Sequence, residues 1–307
     1  GQSGGNFGTL AGENSGMRKA AFETMDNVSN KILAELEKRG WVKTAELTPE
    51  QTKIVQDVVN FYTPLLEKYG RGKTDFSIEK NLKTIKGIGQ LGIGGLNTMG
   101  NNIYLTEKIQ NNREMFTCVF AHEFAHFLSA YLLNLRDNGD MELERKGMIK
   151  KIKIQNWLGP ESVYYGHTIL NEGVTDLLSL KVLEENNHTV EPKNLSEAYQ
   201  PFREVVKDLS TKIGGGDYDK GFDLFIKAYV TGDDAELIEA INAYYGPDSY
   251  KTLISLLDNF SGSGDFINRE EKILKTVMGL MGKIVQVDLF PTTEDRHYKK
   301  LKTWINQ

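Results

Sequence analysis

The stretch from Phe120 to His126 reads F-A-H-E-F-A-H and places two histidines and a glutamate within five residues. On an α-helix, positions i and i+4 lie about 40° apart around the axis, so His122 and His126 direct their imidazoles towards one point. Glu123 lies about 100° from His122, where it can reach a metal-activated water without binding the metal itself. Apolar residues recur around this motif mostly at steps of three and four, which predicts a near-buried helix over residues 112–133.

Burying two histidines and a glutamate costs free energy unless a metal or another polar group satisfies them, so the motif favours a metal site over packed core histidines. A catalytic zinc site takes three protein ligands and leaves its fourth position open. Glu172 is the preferred third ligand, since it begins a second predicted helix on which Asp176, four residues later, shares its face. One carboxylate can then bind the metal while the other accepts a hydrogen bond from a ligand imidazole.

Two alternatives to the assignment of Glu172 as the third ligand remain open: a different role for Glu172, and a different ligand. Glu172 and Asp176 also fit a helix N-terminus whose acidic residues complement the helix dipole. Glu142 and Glu144 are nearer to the histidines in sequence, but they belong to a charged run, residues 140–151, that predicts a solvent-exposed helix.

H-E-x-x-H followed on a later helix by N-E-G-V-T-D resembles the gluzincin clan of zinc metallopeptidases. The resemblance implies a zincin-like catalytic domain and Zn²⁺ as the cofactor. It implies the following roles: His122, His126 and Glu172 as metal ligands, Glu123 as the general base, and Asp176 as the residue that orients a ligand.

A peptidase also needs a donor that stabilises the oxyanion developing on the substrate carbonyl. The candidates in this sequence are His167, Tyr164, Tyr165 and His297. The resemblance favours a donor downstream of the third ligand, and therefore His297, with His167 as the next candidate.

Upstream of the motif, the alternation and β-branched content of residues 102–106 predict a short strand. In peptidases of the type that the motifs resemble, an edge strand before the active helix pairs with an extended substrate, and we expect this strand to do so. The preceding Gly87–Gly92 segment fits G-x-G-x-x-G, but further glycines follow it instead of a helix. A glycine-rich hairpin is therefore preferred to a dinucleotide-binding loop.

The composition limits the partners of the chain. A formal net charge of −5 gives no reason to expect nucleic acid, and no apolar run approaches the roughly 18 residues of a membrane span. The single cysteine, Cys118, excludes an internal disulfide and is interpreted as a buried packing residue rather than a nucleophile. A missing disulfide fits the cytoplasm without excluding export, while the oligomeric state stays open.

We expect three parts along the chain. Residues 1–16 are rich in Gly, Ser and Asn and predict a flexible lead, which is consistent with a removed export or lipid-attachment segment. Residues 17–190 are assigned to the catalytic domain and residues 191–307 to an α-helical C-terminal subdomain. The fold class is α+β and helix-dominated, with a small, mostly antiparallel sheet over the active helix. Helices are predicted at residues 17–39, 49–69, 195–213, 220–230, 233–245, 248–259 and 269–281.

The sequence thus predicts zinc-dependent hydrolysis of peptides or proteins. An endopeptidase is preferred because no acidic anchor for a free amino terminus can be identified. One alternative is a binding or regulatory module with a vestigial or structural metal site, although a structural site needs no Glu123 and closes all four metal positions. The other is a non-peptidase zinc hydrolase, because the same chemistry acts on any polarised carbonyl.

Overall fold

A computed structural model describes ten segments of the 307-residue chain. These segments are residues 33–34, 36–72, 74–86, 95–97, 102–135, 141–154, 162–166, 168–191, 199–261 and 296–307.

Helices dominate the described residues. The helices are α1 (Pro49–Lys68), α2 (Ile78–Asn81), α3 (Glu107–Gln110), α4 (Arg113–Leu128), α5 (Thr168–Glu185), α6 (Gln200–Ile213), α7 (Tyr218–Thr231), α8 (Ala235–Tyr245), α9 (Ser249–Ser261) and α10 (Arg296–Ile305). Helix α1 begins with the predicted capping box, in which Thr48 and Gln51 each bind the backbone N–H of the other. No helix in the described segments is both long and apolar enough to cross a bilayer.

In the described segments, eight strands form two sheets. The strands are β1 (Val42–Thr44), β2 (Leu82–Ile85), β3 (Gly95–Asn97), β4 (Ile103–Thr106), β5 (Tyr131–Leu135), β6 (Met141–Lys146), β7 (Ile149–Ile154) and β8 (Ser162–Gly166). The first sheet has the order β1-β2-β4-β3; β2 and β4 are parallel, and its other two pairs are antiparallel. The second sheet is an antiparallel meander of β5 to β8. The predicted helix-dominated α+β fold with C-terminal helices is therefore confirmed.

Helix α4 has one aromatic face, and this face forms the centre of the core. Phe116, Phe120 and Phe124 are fully buried, and successive rings stack at centroid distances of 5.9 and 5.6 Å. Tyr62 of α1 and Phe76 pack against the same face, with centroids 5.5 and 5.1 Å from that of Phe124. Burial of each such ring contributes roughly 1.5–3 kcal/mol. This packing fixes α4 in position and leaves its other face for the histidine motif.

The predicted end of this helix at Leu133 is wrong, because α4 ends at Leu128. Ser129 has extended backbone angles, and its hydroxyl donates to the His126 carbonyl at 2.7 Å. Arg71 donates to the Leu128 carbonyl as well, so side chains satisfy the last turn. Tyr131 and the leucines after it, whose apolar spacing suggested a longer helix, belong to strand β5 instead.

The predicted helix over residues 140–151 is also wrong, since this segment forms strands β6 and β7. Gly147 turns the chain between them with φ of +57°, a value that favours glycine. The Arg145 guanidinium donates to the Gly147 carbonyl at 2.7 Å and so holds the turn. The last four residues of β7, K-I-K-I, alternate with the period of a strand, although the run is rich in charge.

The C-terminal end of α7 is a meeting point for the first half of the chain. Three consecutive carbonyls accept hydrogen bonds there: Ala228 from Arg145 at 3.3 Å, Tyr229 from the Ala130 N–H at 2.9 Å, and Val230 from Arg71 at 3.1 Å. The Ala228 carbonyl also accepts the N–H of Gly232 at the helix cap, whereas Tyr229 and Val230 belong to the last turn, whose carbonyls need partners from outside the helix.

Of the predicted C-terminal helices, those at 195–213, 220–230, 233–245 and 248–259 are present as α6 to α9, with α6 beginning only at Gln200. The predicted helix at 269–281 and most of that at 17–39 lie outside the described residues, as does the lead of residues 1–16. The domain boundary at residue 190 stays a prediction.

Candidate metal centre

Helices α4 and α5 bring together three side chains from two distant motifs. Nε2 of His122 lies 3.1 Å from Nε2 of His126, and Oε2 of Glu172 lies 3.3 Å from each of these nitrogens. All three side chains are buried, and that of Glu172 is 3 % exposed. They form a His/His/Glu group that can hold a metal ion.

The separations within this group match the edges of a zinc tetrahedron. Zinc binds nitrogen and oxygen at roughly 2.0–2.1 Å, so two ligand atoms of a tetrahedral site lie about 3.3 Å apart. The observed values of 3.1, 3.3 and 3.3 Å agree with that distance. Two imidazoles and one carboxylate are also a donor set that Zn²⁺ accepts, with a fourth position left open.

The proton on His122 can be assigned from its partner. Nδ1 of His122 lies 3.1 Å from Oδ1 of Asp176. An ionised carboxylate only accepts hydrogen bonds, so Nδ1 donates and Nε2 of the neutral ring presents a lone pair to the group. Oε2 of Glu172 is buried and has no hydrogen-bond partner. A buried anionic oxygen that faces two ring nitrogens without a hydrogen bond fits a site for a cation.

The charges around the group also favour a cation. Burial acts to raise the pKa of Glu172, but the imidazoles of His126 and His122 outweigh burial and hold this pKa well below its usual range. Burial acts to lower the pKa of His122, but the carboxylates of Asp176 and Glu172 outweigh it and raise this pKa well above its ordinary value. The carboxylates of Glu172 and Asp176 therefore stay ionised, and the centre attracts positive charge, which either a proton or a metal ion can supply.

Two residues that the sequence analysis missed contact this centre from the start of α6. The Arg203 guanidinium donates to Oδ2 of Asp176, and the two groups form an ion pair. The Tyr199 ring stacks on the His122 imidazole with a centroid distance of 5.2 Å and an interplanar angle of 6°. Tyr199 and Arg203 are four residues apart, so the sequence predicts that they share one face of a helix. Nothing in the sequence indicates that this face packs against His122.

Gly173, next to Glu172, allows α5 and α6 to approach closely. A Cβ at this position would lie 2.6 Å from the Phe202 carbonyl oxygen and 2.7 Å from Cγ2 of Val206. Any larger side chain would therefore push the two helices apart. The glycine of the N-E-G motif is explained by this packing.

Glu123 lies beside His122 on α4 and is buried.

Cys118, one turn before His122, is half-buried, and burial raises the pKa of its thiol to about 12, with smaller contributions from the Asp176 and Glu114 carboxylates. The thiol is therefore protonated at neutral pH, which agrees with a packing role rather than a nucleophilic one.

The predicted oxyanion donors are not placed at the centre by the described residues. The backbone of His297 lies in the first turn of α10, but its side chain is outside the described part, as are the side chains of Tyr164 and Tyr165 in β8 and the whole of His167. The side chains of Glu142 and Glu144 also lie outside it, although their backbone belongs to β6.

The predicted strand at residues 102–106 is present as β4, but its predicted edge position is wrong. Strand β4 is paired on both sides, with β2 and β3, so its backbone groups are not open to a peptide. Within the described part of this sheet, β3 is the edge strand on the side of β4. The G-x-G-x-x-G segment lies outside the described residues, and strand β3, not a helix, follows it.

Compared with known proteins, the chain matches no family model, no curated protein and no solved structure.

Proposed function

We propose that the protein is a zinc-dependent peptidase that cleaves within peptide chains. One observation carries the proposal: three buried ligand atoms, contributed by H-E-x-x-H and N-E-G, lie at the mutual distances that a tetrahedral zinc site requires. The intact Glu123 within the same motif separates this proposal from a purely structural metal site, which has no use for a base.

The side chains would divide the work as follows. His122, His126 and Glu172 would hold the zinc ion, which when bound supplies the Lewis acidity that activates water and polarises the substrate carbonyl. Glu123 would accept the proton of the attacking water and then deliver it to the leaving amine. Asp176, paired with Arg203, would hold the His122 ring with Nε2 towards the metal.

For the substrate, we propose an extended peptide that pairs with the outer edge of β3. An edge strand offers backbone N–H and C=O groups to a further strand, and β3 packs near α4, which carries the histidines. N-methylation of single peptide bonds in a cleaved substrate should then raise KM at the paired positions. A substrate whose cleavage tolerates N-methylation at every position would refute this binding mode.

Metal analysis tests the centre itself. Purified protein should contain about one zinc per chain, and His126→Ala should lose it, since a three-ligand site tolerates little loss. Replacement of His188, which follows the C-terminal end of α5 and pairs with Asp57, should leave the zinc content unchanged and serves as the control. Full zinc occupancy in His126→Ala would contradict the ligand assignment.

Turnover by Glu123→Gln tests catalysis. This variant should keep zinc, fold and peptide binding but lose nearly all hydrolysis of a fluorescent peptide library, because an amide cannot take the proton. Glu114→Gln, the same change in the first turn of the same helix, should cleave like the wild type. Equal cleavage by wild type and Glu123→Gln would refute the peptidase proposal.

A further inference from the structure

The hydroxyl of Thr175 lies behind the second histidine of the motif, on the side away from the metal ligand atoms. Its Oγ1 is 3.5 Å from Nδ1 of His126, 2.7 Å from the Asn171 carbonyl oxygen and 2.8 Å from the hydroxyl oxygen of Tyr229. Thr175 and Tyr229 are fully buried, so no bulk water competes for these contacts.

The number of protons at this hydroxyl fixes the direction of each hydrogen bond. A threonine hydroxyl has one proton to donate and two lone pairs that accept. Its proton goes to the Asn171 carbonyl, which can only accept, so Tyr229 must donate its own proton to Oγ1. The remaining lone pair of Oγ1 faces Nδ1 of His126 and can only accept from it.

An accepting partner at Nδ1 selects one form of the His126 ring. When Nδ1 carries the proton, Nε2 of the neutral ring has a lone pair, and this is the atom that faces Glu172 and His122. A contact of 3.5 Å is long for a hydrogen bond, as catalytic hydrogen bonds often are before a site is loaded.

We propose that Thr175 and Tyr229 are positioning residues for His126, a role that rests on the proposed zinc site. Thr175 holds the ring in the tautomer and orientation that bind metal, and Tyr229 orients the Thr175 hydroxyl so that it accepts rather than donates. Tyr229 belongs to α7, and its carbonyl accepts from the N–H of Ala130, two residues beyond the end of α4. The docking of a C-terminal helix therefore sets the affinity of a metal site whose ligands all lie earlier in the chain.

Zinc affinity, measured by competition with a chromogenic chelator, tests the proposal without any substrate. Thr175→Val removes the hydroxyl at nearly constant volume and should weaken zinc binding roughly 10–100-fold, as losing the partner of a ligand histidine does. Thr175→Ser keeps the hydroxyl and should stay within about threefold of the wild type, while Tyr229→Phe should fall between these two variants. Because Tyr229 acts through Thr175, the double variant should bind zinc no more weakly than Thr175→Val alone.

Nuclear magnetic resonance measures the hydrogen bond at Nδ1 of the His126 ring directly. In zinc-loaded protein labelled with ¹⁵N-histidine, the Nδ1–H proton of His126 should be protected from exchange with water, and Thr175→Val should remove that protection while leaving the Nδ1–H of His122 protected by Asp176. A role in packing alone would not change one histidine and spare the other.

Tyr62→Phe is the matched control for a lost buried hydroxyl. Tyr62 is fully buried against Phe124, on the face of α4 opposite the histidines, and its change should leave zinc affinity unaltered. Wild-type zinc affinity in Thr175→Val with unchanged His126 protection would overturn the inference and leave the zinc site standing. A wild-type chain that binds no zinc would overturn both.

Discussion

Gly173→Ala adds one methyl group where two helices touch, and the structure gives the size of the disturbance. The new Cβ would lie 2.6 Å from the Phe202 carbonyl oxygen and 2.7 Å from Cγ2 of Val206, whereas ordinary contacts begin at 3.4 Å. Helix α6 must therefore move away from α5 by about 0.7 Å or more at this point. Inserting a methyl group into packed helices in this way is overpacking, which destabilises a fold.

Two opposing free-energy changes decide the outcome of this substitution. Overpacking costs typically about 1–3 kcal/mol, and contact with backbone atoms, which cannot rotate away, places Gly173→Ala at the upper end. Replacing glycine by alanine inside a helix returns roughly 1 kcal/mol. The free energy of unfolding should therefore fall by about 2 kcal/mol. Zinc affinity should fall too, because Glu172 is adjacent and its contacts with both histidines are only 3.3 Å long.

Urea unfolding in the presence of a chelator measures the first effect, and chelator competition measures the second. Gly72→Ala is the control, because a Cβ there meets nothing within 4 Å. This control should be neutral or more stable by up to about 1 kcal/mol. If Gly173→Ala were as stable as the wild type and bound zinc equally well, the close approach of α5 and α6 would be refuted.

Three further predictions follow from the same structure. Glu172→Gln should lower zinc affinity strongly in a chelator competition, whereas Glu144→Gln should not. The exposed Glu184, on the same helix as Glu172, provides the control Glu184→Gln, which should also leave zinc affinity unchanged. A strong loss in Glu144→Gln with none in Glu172→Gln would instead place the third ligand in β6. Asp176→Asn should weaken zinc binding or turnover by roughly 10–100-fold without abolishing either, and a complete loss of bound zinc would make Asp176 a ligand instead. Burial acts to raise the pKa of Asp234, but Lys150 and Arg145 outweigh burial and lower this pKa. The ionised Asp234 therefore stabilises the fold above the unfolded pKa of about 3.9, and this stabilisation disappears as pH falls through the lower folded pKa. Asp234→Asn should thus be less stable than wild type at pH 6, and the two urea midpoints should converge as pH falls below the unfolded pKa of about 3.9 and through the lower folded value. A constant difference would contradict the ion pairs.

Local patterns in the sequence predicted those parts of the fold that depend on neighbours in sequence. The Thr48 capping box and the aromatic periodicity of α4 are satisfied within a few residues, and both are present. The end of α4 at Leu128 is not predicted, because the Arg71 contact that completes it comes from 57 residues away. The run of charges predicts a helix over β6 and β7, whereas only K-I-K-I at the end of β7 carries the alternation of a strand.

The residues of the candidate centre also fall into those that local spacing predicts and those that depend on tertiary packing. Spacing within each motif was enough to place His122 with His126 and Glu172 with Asp176, and the structure brings the two pairs together. Arg203, Tyr199 and Tyr229 could not be predicted, because their contacts span 27 to 77 positions of the chain and depend on how α6 and α7 pack. Such contacts arise from tertiary structure, which no periodicity encodes.

The three hydrogen bonds at the C-terminal end of α7 have a consequence for the order in which the protein is made. Synthesis runs from the N-terminus, so H-E-x-x-H and N-E-G leave the ribosome well before residues 228–230. Until those carbonyls arrive, Arg71, Ala130 and Arg145 lack their partners in α7. The growing chain therefore holds His122, His126 and Glu172 while the framework around them is incomplete, and the candidate centre is complete only when the C-terminal helices dock.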